Sequence, residues 1–242
     1  MAVNIIICEN YREMSLKAAN LAATAIYPNR ESLISFPGGD TPLGMIEEFT
    51  RMVNEGEADI SRTRYVSLDE WVGLGSEDEG SCAWFNKTKL FQNLKKPFLE
   101  ICIIDGKAAD PEAECEKLNT FIGQWGPLDL SVLGIGMNGH LGFNEEGADA
   151  NFMAHLIPLS ATTKSVMHKY FKRQYDLQFG ITQGLRQIME AKKIILIANG
   201  IHKAKIIRRA LKEPIDSNVP ASILQNHPNL FAVLDREAAS AL

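Results

Sequence analysis

The stretch GIGMNGHLGFNEEG, Gly134 to Gly147, places a histidine five residues ahead of a carboxylate, His140 and Glu145, on a backbone punctuated by glycines. An imidazole beside a carboxylate is suited to moving protons near neutral pH, because the acid fixes the ring's tautomer and raises its basicity. The same stretch spells G-x-G-x-x-G at Gly134, Gly136 and Gly139, the spacing of a dinucleotide-binding turn. That reading needs a helix opening at the third glycine and an acidic residue about 20 positions later, at the end of the next strand. Gly139 is followed instead by His140 and by FNEE between Gly142 and Gly147, poor helix-starting material with no clear strand behind it. The nicotinamide reading is rejected. The glycines are read as letting the backbone fold tightly and approach a ligand, with His140, Asn144 and Glu145 carried on it. A purely structural loop histidine with a solvated Glu145 is the bland alternative, and the four glycines from Gly134 to Gly142 weigh against it.

Two further loops carry chemistry. In PGGDTP, Gly38 and Gly39 leave backbone N–H groups open, Thr41 can cap, and Pro42 suits the first helical position of PLGMIEEF, which together make a phosphate cradle. An ordinary glycine-rich turn is the competing reading, and Asp40 fits an anion site only if its charge points away. Lys203, opening the helix after KKIILIANG, can supply the cation that a phosphate needs. In LDEWVGLG, Asp69 and Glu70 end a strand, where neighbours face opposite ways, so one of the two enters the site; Asp69 is chosen.

The elements that must position these loops alternate in type. VNIII, SLISF, TRYVSL, EICII, LDLSVLG, KKIILIA and NLFAVLD read as strands, separated by helix-period stretches such as PLGMIEEFTRMV, CAWFNKTKLFQNL, PEAECEKLNTFIGQW and KAKIIRRAL. Near-continuous apolar strands between helices imply an α/β fold, a doubly wound, mostly parallel sheet with helices on both faces. Ligands bind such sheets at the carboxyl ends of the strands, which selects the loops already named and NGIHK after KKIILIA. No repeat or linker divides the sequence, so residues 1–242 are read as one domain. Residues 148–179 lack a strand pattern and contain the helical SATTKSVMHKYFK, which suggests a helical lid over the site.

The 242 residues, 45% hydrophobic, are enough for a full core, and a net charge of −5 argues against nucleic acid or an anionic membrane as partner. No apolar run reaches spanning length and MAVNIIICEN lacks a leader pattern, so a cytoplasmic location is expected. Cys8, Cys82, Cys102 and Cys115 are scattered and read as buried free thiols, with neither disulfide nor metal site indicated.

LDEWVGL, LDLSVLGIGMNGHLGFNEEG, GITQGLRQIMEAKKI and VPASILQNHPN, in this order and spacing, resemble the glucosamine-6-phosphate deaminase/isomerase family across nearly the whole chain. The resemblance implies a Rossmann-like sheet, no redox cofactor, and conversion of a phosphorylated amino sugar, a 2-amino-2-deoxyhexose 6-phosphate, to a ketohexose 6-phosphate and ammonia. By motif, Asp69 is similar to the base that moves a proton between C2 and C1, and His140 to the residue assisting ring opening, with Asn138 and Glu145 as its partners. The substrate phosphate would lie on Gly38, Gly39, Asp40 and Thr41, with Lys203 matching the family's phosphate-binding lysine and Lys169 standing where many members have arginine. Asn138 replaces an aspartate of some members, which leaves Glu145 as the only carboxylate near His140. Glu146 replaces the usual proline. His155, Ile157 and Ala148 fall where allosterically activated members carry Arg, Lys and Ser, so that kind of effector site is not expected.

GLRQIMEAKK and the LDEW tryptophan are also similar to the branch acting on galactosamine 6-phosphate, and both epimers stay open. Self-association is compatible with the sequence. Two other functions compete. A 6-phosphogluconolactonase typically shows DER where this chain has DEW, and does not need Glu145. A sugar-phosphate-sensing domain would have no need of Asp69, His140 and Glu145 together.

Overall fold

The computed structural model describes residues 3–26, 31–167, 171 and 175–242. Its centre is a seven-stranded sheet built from β1 (Asn4–Cys8), β2 (Ser32–Ser35), β3 (Thr63–Val66), β5 (Glu100–Cys102), β6 (Leu130–Leu133), β9 (Ile194–Ala198) and β10 (Leu230–Asp235). The order is β1-β10-β9-β6-β2-β3-β5, with every neighbouring pair parallel. The apolar runs are continuous because both faces are covered. In β9, Ile195 and Ile197 face the core under α1 (Tyr11–Ala23) and α2 (Leu43–Glu55). Ile194 and Leu196 face the opposite core, which holds α4 (Pro111–Trp125), α6 (Leu185–Met189) and α7 (Ala204–Lys212).

Helix boundaries follow local chemistry. The Asn10 side chain accepts from the Glu13 N–H at the start of α1, and Asp110 accepts from Glu112 and Ala113 N–H at the start of α4, with Pro111 just inside. Helix α2 starts one residue later than its sequence suggests: Pro42 is the N-cap, with no side-chain cap. Thr41 therefore does not cap, and its hydroxyl turns to β9, donating to Asn199 Oδ1 at 2.9 Å. The expected helix CAWFNKTKLFQNL is α3 (Cys82–Phe85) continued by a widened turn, Asn86–Leu90, and a tight one, Phe91–Asn93.

A second sheet, β4-β8-β7, is antiparallel and was not expected. It joins β4 (Asp69–Trp71), β8 (Phe179–Thr182) and β7 (His155–Pro158). β7 corrects the reading of residues 148–179 as strandless. HLIP is only four residues long and partly exposed, and its strand form comes from pairing with β8, His155 opposite Thr182 and Ile157 opposite Gly180. Among the described residues of this segment the helix is α5 (Ala161–Val166), with Ser160 as N-cap accepting from Thr163 N–H. Lys169 lies outside the described residues. Trp71, Leu74, Phe143, Leu159, Phe171 and Leu177 form a separate core between this sheet and that segment, with Phe143 at 4.6 Å and Phe171 at 5.5 Å from the Trp71 ring.

Candidate active site

The strand order places the site. From β2 the chain winds outward through β3 to β5, whereas from β6 it winds the other way through β9 to β10. β2 and β6 are neighbours, so the winding reverses between them, and the crevice at their carboxyl ends is where an open α/β sheet binds ligands. The loop after β2 carries Gly38, Gly39, Asp40 and Thr41, and the loop after β6 runs from Gly134 to Gly147.

The second loop is folded around its histidine. Gly136 N–H donates to His140 O (3.0 Å) and Gly139 N–H to Gly136 O (3.1 Å), while Gly139 and Gly142 have φ of +89° and +57°. A side chain at Gly136 would put its Cβ 2.5 Å from the nitrogens of the His140 ring, so this glycine makes room for the imidazole. The G-x-G-x-x-G spacing thus seats a histidine. Asn144 holds the loop's far end, its Nδ2 donating to Leu141 O and Gln183 O, each at 2.8 Å.

His140 Nδ1 lies 3.5 Å from Glu145 Oε2, and Asn138 joins the pair by donating to Oε2 (3.0 Å) and accepting from His140 N–H (3.4 Å). Thr163 donates to the other oxygen, Oε1. Burial alone would push the Glu145 carboxyl up; the His140 contact and the bonds from Thr163 and Asn138 outweigh it and hold the group down at about 2. Glu145 is therefore a buried carboxylate facing an imidazole.

Asp69 and Glu70 diverge as strand neighbours must. Glu70 is buried away from the crevice and accepts from the N–H groups of Trp71 (2.8 Å), Cys82 (3.0 Å) and Ala83 (2.6 Å), which locks β4 to the start of α3. Burial pushes its carboxyl up to about 8, against those three bonds. Asp69 points to the other side, where its Oδ2 is 3.5 Å from the position a Cβ on Gly142 would take. Burial raises its carboxyl to about 6, partly offset by a hydrogen bond from the Cys82 thiol and by the charge of His140. The thiol is held well above its ordinary value by burial and by Asp69 and Glu70, so it stays protonated and donates. A carboxylate whose pKa is near 6 is a base poised for proton abstraction at neutral pH.

Of the phosphate candidates, Gly38 to Thr41 follow β2 and Lys203 follows β9, the two strands that flank β6. Gly39 has φ of +98°, Gly38 sits 3.8 Å (from its notional Cβ) from Cys82 Sγ, and Asp40 is exposed. The Thr41–Asn199 bond ties this loop to the end of β9. Three residues past that asparagine's glycine, Lys203 is half-buried, with Nζ donating to Ile135 O at 2.6 Å, beside the histidine loop. Its ammonium thus reaches a carbonyl of that loop. Of the three positions compared with allosterically activated members, His155 and Ile157 are on β7, with His155 Nδ1 2.8 Å from Met153 O, its ring on Phe152, and Ile157 on the Trp71 core, while Ala148 precedes that strand.

Sequence reasoning missed Cys82 and Thr163. Each reaches its carboxylate from a separate element, α3 and α5. The one local signal was Ser160, an N-cap three residues before Thr163.

A family model for glucosamine-6-phosphate isomerases/6-phosphogluconolactonase matches residues 9–232. Among curated relatives, a glucosamine-6-phosphate deaminase of Halothermothrix orenii is 38% identical over 241 residues, covering 99% of this chain and 100% of that protein. One from Clostridium perfringens is 36% identical with the same coverage. A solved monomeric glucosamine-6-phosphate deaminase superposes with a TM-score of 0.92 at 30% identity, covering 99% of this chain and all of that one. The 6-phosphogluconolactonase of Leishmania guyanensis shares the fold, with a TM-score of 0.79 at 19% identity over 100% of this chain and 99% of its own. With the family's model spanning nearly its whole length and close relatives matching end to end, this chain belongs to the glucosamine-6-phosphate isomerase/6-phosphogluconolactonase family.

Proposed function

We propose that this chain is a hexosamine-6-phosphate deaminase that converts glucosamine 6-phosphate and water to fructose 6-phosphate and ammonia. The observation that carries the reading is the pairing, in one crevice, of a carboxylate raised to about 6, Asp69, with a histidine backed by a buried carboxylate, His140 and Glu145. Two proton movements are needed. Opening the pyranose takes a proton from O1 and delivers one to O5, a task for an imidazole that both accepts and donates. Isomerisation then takes the proton from C2 and returns one to C1, which suits Asp69 beside Gly142 of the same loop. The resulting imine at C2 is hydrolysed by water, and ammonia leaves. Gly38, Gly39, Thr41 and Lys203 hold the 6-phosphate through open N–H groups and one ammonium, with Asp40 turned to solvent. In a single catalytic domain, α5 and the other described residues of 148–179 act as the lid. A phosphorylated sugar does not cross a membrane unaided, so a cytoplasmic location belongs to the same proposal.

The test is ammonia release from glucosamine 6-phosphate and galactosamine 6-phosphate side by side, with hydrolysis of 6-phosphogluconolactone as the third arm. Ammonia from glucosamine 6-phosphate supports the reading. Faster release from the C4 epimer reassigns the substrate, and lactone hydrolysis without ammonia release rejects the deaminase.

A further inference from the structure

We propose that Thr163 is a positioning residue for proton transfer: through its hydroxyl, α5 holds the Glu145 carboxylate in the orientation that presents its other oxygen to His140. The inference rests on the catalytic reading of His140 and Glu145 given above.

The direction of each bond is forced. An ionised carboxylate can only accept, so the Thr163 hydroxyl must donate to Glu145 Oε1. Its lone pair then receives the Ser160 hydroxyl at 3.3 Å, and Ser160 Oγ in turn accepts from the Thr163 N–H at 3.1 Å. Thr163 is 2% exposed, and its β-branched side chain has few rotamers open to it, so the hydroxyl is held in place. Glu145 thereby has one donor from its own loop, Asn138 on Oε2, and one from a different element, Thr163 on Oε1. A single donor leaves a carboxylate free to rotate about its last bond, whereas two donors on opposite oxygens fix its plane. Oε2 is also the oxygen 3.5 Å from His140 Nδ1. Loss of the Thr163 hydroxyl would strand Oε1 in a buried setting, and the carboxylate would turn to find another donor, away from the imidazole.

Thr163→Val keeps the shape and removes the donor; Thr163→Ala removes the same hydroxyl with better helix propensity, should valine impair folding. Thr163→Ser keeps the donor. The readouts are kcat and KM for the cyclic hexosamine 6-phosphate, and the ¹⁵N resonances of the His140 ring in the ligand-free protein. The expected result is a kcat lower by about ten- to a hundredfold in Thr163→Val or Thr163→Ala, the loss typical of a hydrogen bond to a charged group, with KM unchanged. The serine variant should recover most of the rate, and the His140 resonances should move in the first two variants and stay in the third. Parental kcat in a folded variant lacking the hydroxyl, a serine variant as impaired as valine, or unmoved His140 resonances would each overturn the proposal. Should the parent release no ammonia from any hexosamine 6-phosphate, the functional reading fails by itself, while the resonances still decide whether Thr163 sets the geometry of the pair.

Discussion

Asp69 and Glu70 show how little separates a base from a clamp. Both are carboxylates on one short strand, yet the alternation of side chains sends Glu70 into three backbone N–H groups and leaves Asp69 in the crevice with the Cys82 thiol and the field of His140. Because Asp69 works as a base only when ionised, kcat/KM should fall as pH drops through about 6, its raised value. The Cys82 thiol lowers that value by donating to the carboxylate. Cys82→Val, which keeps the bulk and removes the donor, should therefore move the acid limb of the kcat/KM profile to higher pH; an unmoved limb would show that the thiol does not engage Asp69. Lys203 is argued in the same way. Its ammonium is already on the Ile135 carbonyl at the crevice, and Lys203→Ala should weaken binding of phosphorylated sugars by about ten- to a hundredfold, measured by calorimetry with the product sugar phosphate. Equal affinity in parent and variant would leave the lysine a structural anchor.

At the scale of elements, the parallel sheet was legible because its strands are buried on both faces and read as apolar runs between helical periods. The second sheet was not. HLIP carries no alternation strong enough to announce a strand, and it becomes one by pairing with β8, a partner more than twenty residues away. Thr41 was misread for a local reason: the proline after it takes the N-cap, and its hydroxyl finds Asn199 across the crevice. His140 and Glu145 were legible as candidates from residue type and loop glycines, Asp69 from its place at a strand end, and Asn138 only through the family resemblance, whereas Cys82 and Thr163 meet the crevice only through folding. The histidine loop makes the sharpest element-scale test. Gly136→Ala would drive a methyl into the His140 ring, so turnover of the cyclic substrate should fall by roughly a hundredfold while far-UV circular dichroism stays parental. Parental turnover would mean that the ring has another seat.

For the whole molecule, the proposed site lies where the winding reverses between β2 and β6, and residues away from it bear on control. Of the positions where allosterically activated members carry Arg, Lys and Ser, Ala148 and Ile157 hold uncharged side chains here, and Ile157 is packed on the Trp71 core. Kinetics should be hyperbolic and unchanged by N-acetylglucosamine 6-phosphate below concentrations that compete for the crevice. A sigmoidal curve made hyperbolic by that compound would reveal an effector site elsewhere. Among the described residues no group of three or more His, Cys, Asp or Glu is placed to hold a metal ion, and no helix is long and apolar enough to cross a membrane. Because the proposed proton transfers are carried by Asp69 and His140, turnover should survive exhaustive chelation, with loss in EDTA and recovery on adding a divalent ion as the contrary result.

The central claim is that two side chains divide the proton transfers, and it is tested most directly by following solvent deuterium into the sugar phosphate with the parent and with Asp69→Asn. In heavy water the parent should release ammonia and place deuterium at C1 of the ketose. Asp69→Asn keeps the size of the side chain and removes the base, so incorporation and turnover should both fall by roughly 10²- to 10⁴-fold, while an open-chain amino-alditol phosphate still binds. Near-parental deuterium incorporation in Asp69→Asn would contradict the assignment and require another group to move the proton between C2 and C1.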